Sequence, residues 1–229
     1  SLDELTIYEI NSNLSNQSFE TVKNCVDKAI QLAECCAPKF EHFIEAIDSL
    51  VYSIKPHGVN QYSEDDFKLS AVYQAGKSFM ETRLNGLGSI ARVTILPVLP
   101  RPANDCKDKS TLAKLGETFR RSAQKKCSET TTTVLNDVKI LIAGSLAQKI
   151  ILNDQDLKNN QKDLTNALEL LVKLEANGIN TEKLPAKILS ECEIRAYEKL
   201  ESIKNEILEI LNQDKTKIVE ITKYLLTLK

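Results

Sequence analysis

Glycine and proline are scarce in this chain, and their scarcity is the strongest constraint on what it can fold into. The 229 residues include only 7 glycines and 6 prolines, whereas ordinary globular chains contain about 7% glycine and about 5% proline. Sandwiches and barrels need a turn roughly every 8 to 12 residues, and doubly wound α/β folds use glycine-rich crossings. Long helices with few connections need neither, so we predict an all-α fold.

Apolar residues at helical spacing place the first predicted helices. Residues 19–36 and 40–54 both follow the i, i+3, i+4, i+7 pattern, and only a short joint at Pro38 separates them. They are therefore expected to form an αα-hairpin. A third helix is predicted to begin at the acidic run after Ser63 and to continue to about Leu84.

The middle of the chain interrupts this pattern. The apolar, proline-containing segment 93–100 is expected to be extended and to lie in a groove of the protein, because an apolar segment in water is unfavourable. Leu115 and Phe119 then indicate a fourth helix. The threonine run 130–133 marks either a break or a helix cap, so residues 107–151 form one helix or two.

The C-terminal part predicts further helices. Leu157–Leu174 is helical in pattern and ends at Asn177–Gly178, a left-handed cap signal. Residues 186–229 contain neither glycine nor proline and predict one long C-terminal helix, with the polar stretch 212–217 as the alternative break. The whole prediction is a bundle of about six to seven amphipathic helices.

The change of character at residues 85–104 suggests the domain organisation. We predict an N-terminal three-helix unit over residues 1–84, a glycine- and proline-containing apolar connection over residues 85–104, and a C-terminal helical unit over residues 105–229 packed on the first.

Six cysteines make an even number that three disulfides would use up in an oxidising compartment, although buried thiols are the ordinary alternative. Cys25 and Cys36, on one predicted helix, would lie about 16 Å apart and cannot pair. Two cysteines at the ends of the predicted fourth helix are excluded in the same way. At least two bridges are therefore expected to join the first hairpin to the C-terminal unit. The candidate cysteines are Cys25, Cys35, Cys36, Cys106, Cys127 and Cys192.

Several features favour secretion. The sequence begins at Ser1 with no charged and apolar leader, which fits a mature secreted protein and equally a trimmed chain. Asn13 and Asn16 begin glycosylation sequons in a polar stretch where an exposed acceptor is expected. With the even cysteine count, these features predict an extracellular protein. No apolar run is long enough to span a bilayer.

Sequence motifs give no reason to expect an enzyme or a cofactor. The chain lacks a nucleophile elbow, a zinc-protease motif, a phosphate-binding loop and a dinucleotide loop. The two histidines, His42 and His57, and the adjacent pair Cys35 and Cys36 have the wrong spacing for a zinc site, so structural or exposed roles are expected. A net charge of −2 and a pI near 5.9 argue against nucleic-acid binding.

Charge is unevenly distributed along the chain. Residues 1–48 carry nine acidic and three basic residues, whereas residues 101–127 carry eight basic and three acidic ones. On the predicted fourth helix, Lys107, Lys114, Arg121 and Lys125 fall on one face. This basic stripe is either a solvated face, a partner for the acidic first helices, or a docking site for an anionic surface or glycan.

Two functions follow as expectations. The first is a secreted, non-enzymatic protein that binds a macromolecular partner through its helical surface. The alternative is a carrier of a hydrophobic small molecule, such as a lipid or fatty acid, in a cavity lined by aliphatic side chains.

Overall fold

The computed structural model describes residues 3–14, 17–34, 36–54, 61–99, 114–121 and 130–228. These residues are mostly helical, with one small two-stranded sheet, which confirms the all-α class. The helices are α1 (Glu4–Leu14), α2 (Phe19–Leu32), α3 (Phe40–Leu50), α4 (Glu64–Asn85), α5 (Thr131–Leu152), α6 (Leu157–Glu175), α7 (Ala186–Gln213) and α8 (Lys215–Thr227), and the strands are β1 (Ile90–Val98) and β2 (Lys114–Arg120).

The predicted N-terminal hairpin is present. The Ser18 hydroxyl accepts a hydrogen bond from the Thr21 backbone N–H at 3.1 Å and begins α2, which then packs along α3. α2 ends at Leu32, short of the predicted end at residue 36. Helix α1 was not predicted from the sequence, and it contacts α3 while burying Ile10 and Leu14.

Side-chain caps begin the two central helices. Ser63 and Asp66 form a capping box at the start of α4, as the acidic run predicted. At α5 the Thr130 hydroxyl accepts from the Thr133 backbone N–H at 3.2 Å, so the threonine run is a helix cap.

Two glycines allow α4 and α5 to cross in close contact. A Cβ atom on Gly76 would lie 2.5 Å from the Cβ of Ala147, and one on Gly144 would lie 2.7 Å from the ring of Tyr73. Glycine at both positions therefore sets the separation of these helices, which are buried on most sides.

The predicted fourth helix is wrong: residues 114–120 form β2, antiparallel to β1. Gly116 has a φ of +79°, and a Cβ atom there would collide with the Ser70 hydroxyl of α4. This conformation favours glycine and interrupts a helix. The extended conformation predicted for the apolar proline-containing segment is confirmed over residues 93–98, which belong to β1. Ile95 and Val98 of this strand are buried.

Leu115 and Phe119 are four residues apart, which imitates a helical stripe, but they pack in different places. Leu115 packs against the large core built from α4 to α8, and Phe119 packs against a smaller core of α1, α2 and α3. The Phe119 ring lies 4.5 Å from that of Tyr52, centroid to centroid. The two-stranded ribbon therefore touches both cores.

Two sequence signals correctly predicted helix ends in the C-terminal part of the chain. Asn177 and Gly178 have φ values of +52° and +75° and follow the end of α6. The polar stretch near residue 214 is a break, so the predicted long helix is divided into α7 and α8. Asp214 at this break accepts a hydrogen bond from Arg83 of α4 at 2.9 Å, and α8 packs on α4.

The predicted domain boundaries stay a prediction, but the packing groups the helices differently from the expected three-helix unit. Helix α4 buries Phe67 and Met80 in the large core together with α5 to α8. The smaller core joins Cys25 and Ile47 to Val98 of β1.

The described cysteines are thiols and not disulfides. Cys25 and Cys192 are buried and Cys36 is exposed. No bridge joins the hairpin to the C-terminal helices among these described residues, so the expected stapling is not found there. Cys35, Cys106 and Cys127 lie outside the described residues. The exclusion of a Cys106–Cys127 disulfide assumed a continuous fourth helix, so it no longer holds.

Candidate functional site

A lysine-lined cleft of about 780 Å³ lies between the N-terminal half of α4, the beginning of β2 and the first turns of α6. Lys114, Lys158 and Lys162 line it together with neutral amide and hydroxyl side chains, among them Asn159 and Thr165. We refer to it as the lysine cleft.

The start of α6 positions two of the three lysines. The Asp156 carboxylate accepts hydrogen bonds from the backbone N–H groups of Lys158 and Asn159 at 3.0 and 3.2 Å and so caps the helix. Helical spacing then places Lys158, Lys162 and Thr165 along one face of α6, which lines the cleft.

Three partly buried hydrogen bonds hold the opposite wall. The Gln148 amide donates to the Leu69 carbonyl at 2.8 Å, and its oxygen accepts from the Asp156 backbone N–H at 3.0 Å. The Ser70 hydroxyl donates to the Leu115 carbonyl at 3.0 Å, which fixes β2 beside α4. The walls of the cleft are therefore set by three separate elements.

The carboxylates of the lysine cleft have local partners of their own. Asp66 accepts from the Ser63 hydroxyl and backbone N–H, and these hydrogen bonds hold the pKa of Asp66 below its usual range. Asp156 is the cap of α6. Lys114 pairs with Glu117 at 3.0 Å, with about one third of each side chain exposed. Lys158 and Lys162 are exposed and make no ion pair with any described residue.

A buried polar cluster lies beside the cleft, between α4 and α6. The Tyr73 hydroxyl donates to one oxygen of Asp163, and the Lys77 ammonium lies 3.3 Å from the other. Lys77 Nζ also lies 4.7 Å from the centre of the Tyr73 ring. Tyr73 and Asp163 are almost fully buried, so this cluster ties α4 to α6 in a low-dielectric setting.

Burial perturbs both partners of Asp163. Removal from water and the neighbouring Asp163 carboxylate raise the pKa of Tyr73 well above its ordinary value, so the phenol stays protonated. Burial lowers the pKa of Lys77, and the Asp163 carboxylate opposes this effect. The cluster is therefore a buried Asp163 carboxylate whose charge is compensated by the Lys77 ammonium and the Tyr73 hydroxyl.

A third group of charges lies further along α4. Arg120 of β2 bridges the buried Glu81 and the half-exposed Asp137, with both nitrogen–oxygen distances 2.6 Å. It lines a cleft of about 340 Å³ that Lys77 and Glu117 also reach. Cations and anions alternate there, which suits an internal ion-pair network better than a ligand site.

The predicted basic stripe is not formed by its described members. Lys114 begins β2 and Arg121 directly follows its last residue, so the two are about 23 Å apart at roughly 3.3 Å per residue. The reason is the strand conformation, which replaces the helix on which the four residues shared a face. Lys107 and Lys125 lie outside the described residues. Lys114 reaches the lysine cleft, whereas Arg121 does not line it.

The other predicted positions fall in helices or outside the described chain. Asn13 lies in α1, where its amide donates to the Glu9 carbonyl at 2.9 Å and its oxygen accepts from the Tyr52 hydroxyl at 3.2 Å. Asn16 and His57 are outside the described residues. His42 has a structural role, since its Nδ1 accepts the Lys39 backbone N–H at 3.1 Å at the start of α3.

Sequence reasoning missed Lys158, Lys162 and the Tyr73–Asp163 contact. The local signal on α6 is only that polar residues at 158, 162 and 165 recur at helical spacing, which any solvated helix face also shows. The convergence with Lys114 depends on β2, which the periodicity did not predict.

No protein-family model matches this chain, and no curated protein is similar to it in sequence. No helix within the described ranges has the length and apolarity that a membrane crossing requires.

Proposed function

We propose that the protein is a secreted, non-enzymatic binding protein, and that the lysine cleft binds an anionic, hydroxyl-rich group of a macromolecule such as a sulfated glycan. The observation that carries the proposal is the convergence of Lys114, Lys158 and Lys162 from two elements on one cleft, whose two carboxylates are engaged in helix caps. Neighbouring ammonium groups attract sulfate or phosphate over several ångströms.

The neutral lining favours a glycan over a simple ion. Asn159, Gln161, Thr165 and Asn166 present amide and hydroxyl groups that donate and accept hydrogen bonds, which suits sugar hydroxyls. Lysine ammonium groups bind sulfates as point charges and without the fixed fork geometry of arginine. The expected binding is therefore moderate in affinity and sensitive to salt.

The first test is retention of the 229-residue chain on immobilised heparin. The unmodified protein is expected to be retained at physiological salt, because salt at that concentration screens the charges within the cleft only in part. The K158E/K162E variant is expected to elute at clearly lower salt, because it replaces two of the three cations of the cleft by anions. The matched control is K187E/K223E, which makes the same change of net charge at exposed lysines of α7 and α8 outside the cleft.

The proposal fails if the unmodified protein elutes below physiological salt, or if both double variants elute alike. Equal retention on an acidic peptide column and on heparin would show that the cleft binds anions in general and does not select a sulfated glycan. The carrier alternative has its own measurement, native mass spectrometry followed by organic extraction. A lipid that copurifies in fixed proportion, with no heparin retention, would favour the carrier.

A further inference from the structure

A second cleft, of about 720 Å³, lies between α6, α7 and the short turn that joins them. Thr165 lines both this cleft and the lysine cleft, so the two are neighbours on α6. Leu168, Val172, Leu189 and Tyr197 give the second cleft an apolar lining. We refer to it as the acidic groove, for the reason that follows.

The rim of this groove is negatively charged. Glu169, Glu182 and Glu193 line it and are exposed, whereas Lys173 is the one cation among its lining residues. None of the three carboxylates makes an ion pair with any residue in the described ranges. The acidic groove therefore combines apolar surface with uncompensated negative charge, opposite in sign to the lysine cleft.

Apolar surface continues past the groove along α7. Tyr197 is 56% exposed, and Ile194, three residues before it and so beside it on the helix, is 57% exposed. Single exposed apolar residues are ordinary on protein surfaces. Two adjacent ones at the edge of an apolar cleft with a charged rim are typical of a protein interaction site.

We propose that the acidic groove binds an amphipathic, basic segment of a partner protein. Its leucine- or phenylalanine-like side chains would pack between Leu168, Val172 and Tyr197, while its lysines or arginines would face the three carboxylates. The charge of the rim argues against a sulfated glycan or other polyanion as the occupant. The proposal is independent of the lysine cleft.

The probe is a synthetic amphipathic peptide of leucine and lysine, roughly 14 residues or four helical turns long. Its binding to the 229-residue chain is measured by fluorescence anisotropy. One comparison peptide replaces every lysine by glutamate, and another replaces every leucine by serine. Binding of the leucine–lysine peptide alone is the expected result, because the groove supplies both apolar contact and negative charge.

Two variants and one matched control locate the binding. E169Q/E193Q is expected to weaken binding about fivefold, as for two partly screened ion pairs. Y197S is expected to weaken it about tenfold, by loss of apolar contact area. E209Q/E220Q removes the same charge from exposed positions of α7 and α8 outside the groove and is expected to leave binding unchanged.

All substituted side chains are exposed, so the variants are expected to keep the native circular dichroism spectrum. The proposal is overturned if the leucine–lysine peptide does not bind, if the serine–lysine peptide binds equally well, or if E209Q/E220Q weakens binding as much as E169Q/E193Q. A Y197S protein that binds like the unmodified one overturns it as well.

Discussion

Asp163 compensates two buried groups at once, and its substitution tests the cost of leaving them without a partner. Its side chain is 7% exposed and that of Lys77 is 13% exposed. Asp163→Asn keeps the shape but removes the negative charge, so the Lys77 ammonium remains buried without an opposite charge. We expect the free energy of unfolding in urea to fall by about 3 kcal/mol.

The double variant K77M/D163N provides the control, because it removes both charges. We expect it to regain at least about 1 kcal/mol relative to D163N, since a buried charge pair replaced by uncharged groups is often close to neutral. A D163N protein within about 0.5 kcal/mol of the unmodified one would contradict the prediction, because that is the range of ordinary surface substitutions.

Tyr73 makes stability dependent on alkaline pH. Because its folded pKa is raised, the phenol keeps its proton in the folded protein while the unfolded chain loses it above its ordinary pKa of 10.0. The stabilisation is thus complete below that pH and declines as pH rises further. Tyr73→Phe is expected to be less stable than the unmodified protein at pH 8, with a difference that shrinks by pH 11.

The comparison of these two proteins separates Tyr73 from Lys77. The lowered pKa of Lys77 has the opposite sign, since it makes stability rise with pH up to the ordinary lysine value of 10.5. Phenylalanine keeps the aromatic ring beside Lys77, so the Lys77 contribution has the same sign in both proteins. Urea midpoints measured at several pH values give the result, and a difference that does not change with pH would contradict the assignment.

At the scale of elements, the crossing of α4 and α5 depends on a missing side chain. Alanine is the better helix former by about 1 kcal/mol. At Gly76, however, its Cβ would lie 2.8 Å from the Ala143 carbonyl oxygen, a backbone atom that cannot turn away. Gly76→Ala is therefore expected to lower the free energy of unfolding by about 1 to 3 kcal/mol.

Gly88→Ala is the matched control for this prediction. A Cβ atom at Gly88 would meet no atom within 4 Å, and the residue lies in a short turn after α4. We expect no more than about 0.5 kcal/mol of change. Equal unfolding midpoints for the two alanine variants would contradict the prediction, because α4 and α5 would then have moved apart with no loss of stability.

Three of the elements that the sequence predicted have starts marked by local chemistry. Ser18, Ser63 and Thr130 each accept a backbone N–H at the start of a helix, and such hydroxyl caps can be recognised from neighbouring residues alone. β2 was missed because its pairing with β1 and its contact with Ser70 are long-range. The spacing of Leu115 and Phe119 fits a helix as well as a strand. Only the fold shows that the two side chains pack against different cores.

At the scale of the whole molecule, the lysine cleft could be predicted only in part. The sequence singles out Lys114, but through a helical face that does not exist. The sequence does not predict Lys158 and Lys162, because nothing near them in the chain distinguishes them from other exposed lysines. Their convergence depends on how α6 and β2 are both placed beside α4, which is a property of the fold and not of any segment.

The two cores offer a last prediction, read by thiols that the protein already has. Cys25 lies in the smaller core with α2 and α3, and Cys192 is buried on α7, which packs on α5 and α6. Because the smaller core buries less apolar surface, we expect it to open at lower urea than the large one. Pulse labelling with a thiol reagent, followed by peptide mapping, should modify Cys36 without urea, Cys25 at intermediate urea and Cys192 only at the main transition. Burial also raises the pKa of Cys25, which keeps the closed thiol unreactive. Simultaneous labelling of Cys25 and Cys192 would mean that the β1–β2 ribbon couples both cores into a single cooperative unit.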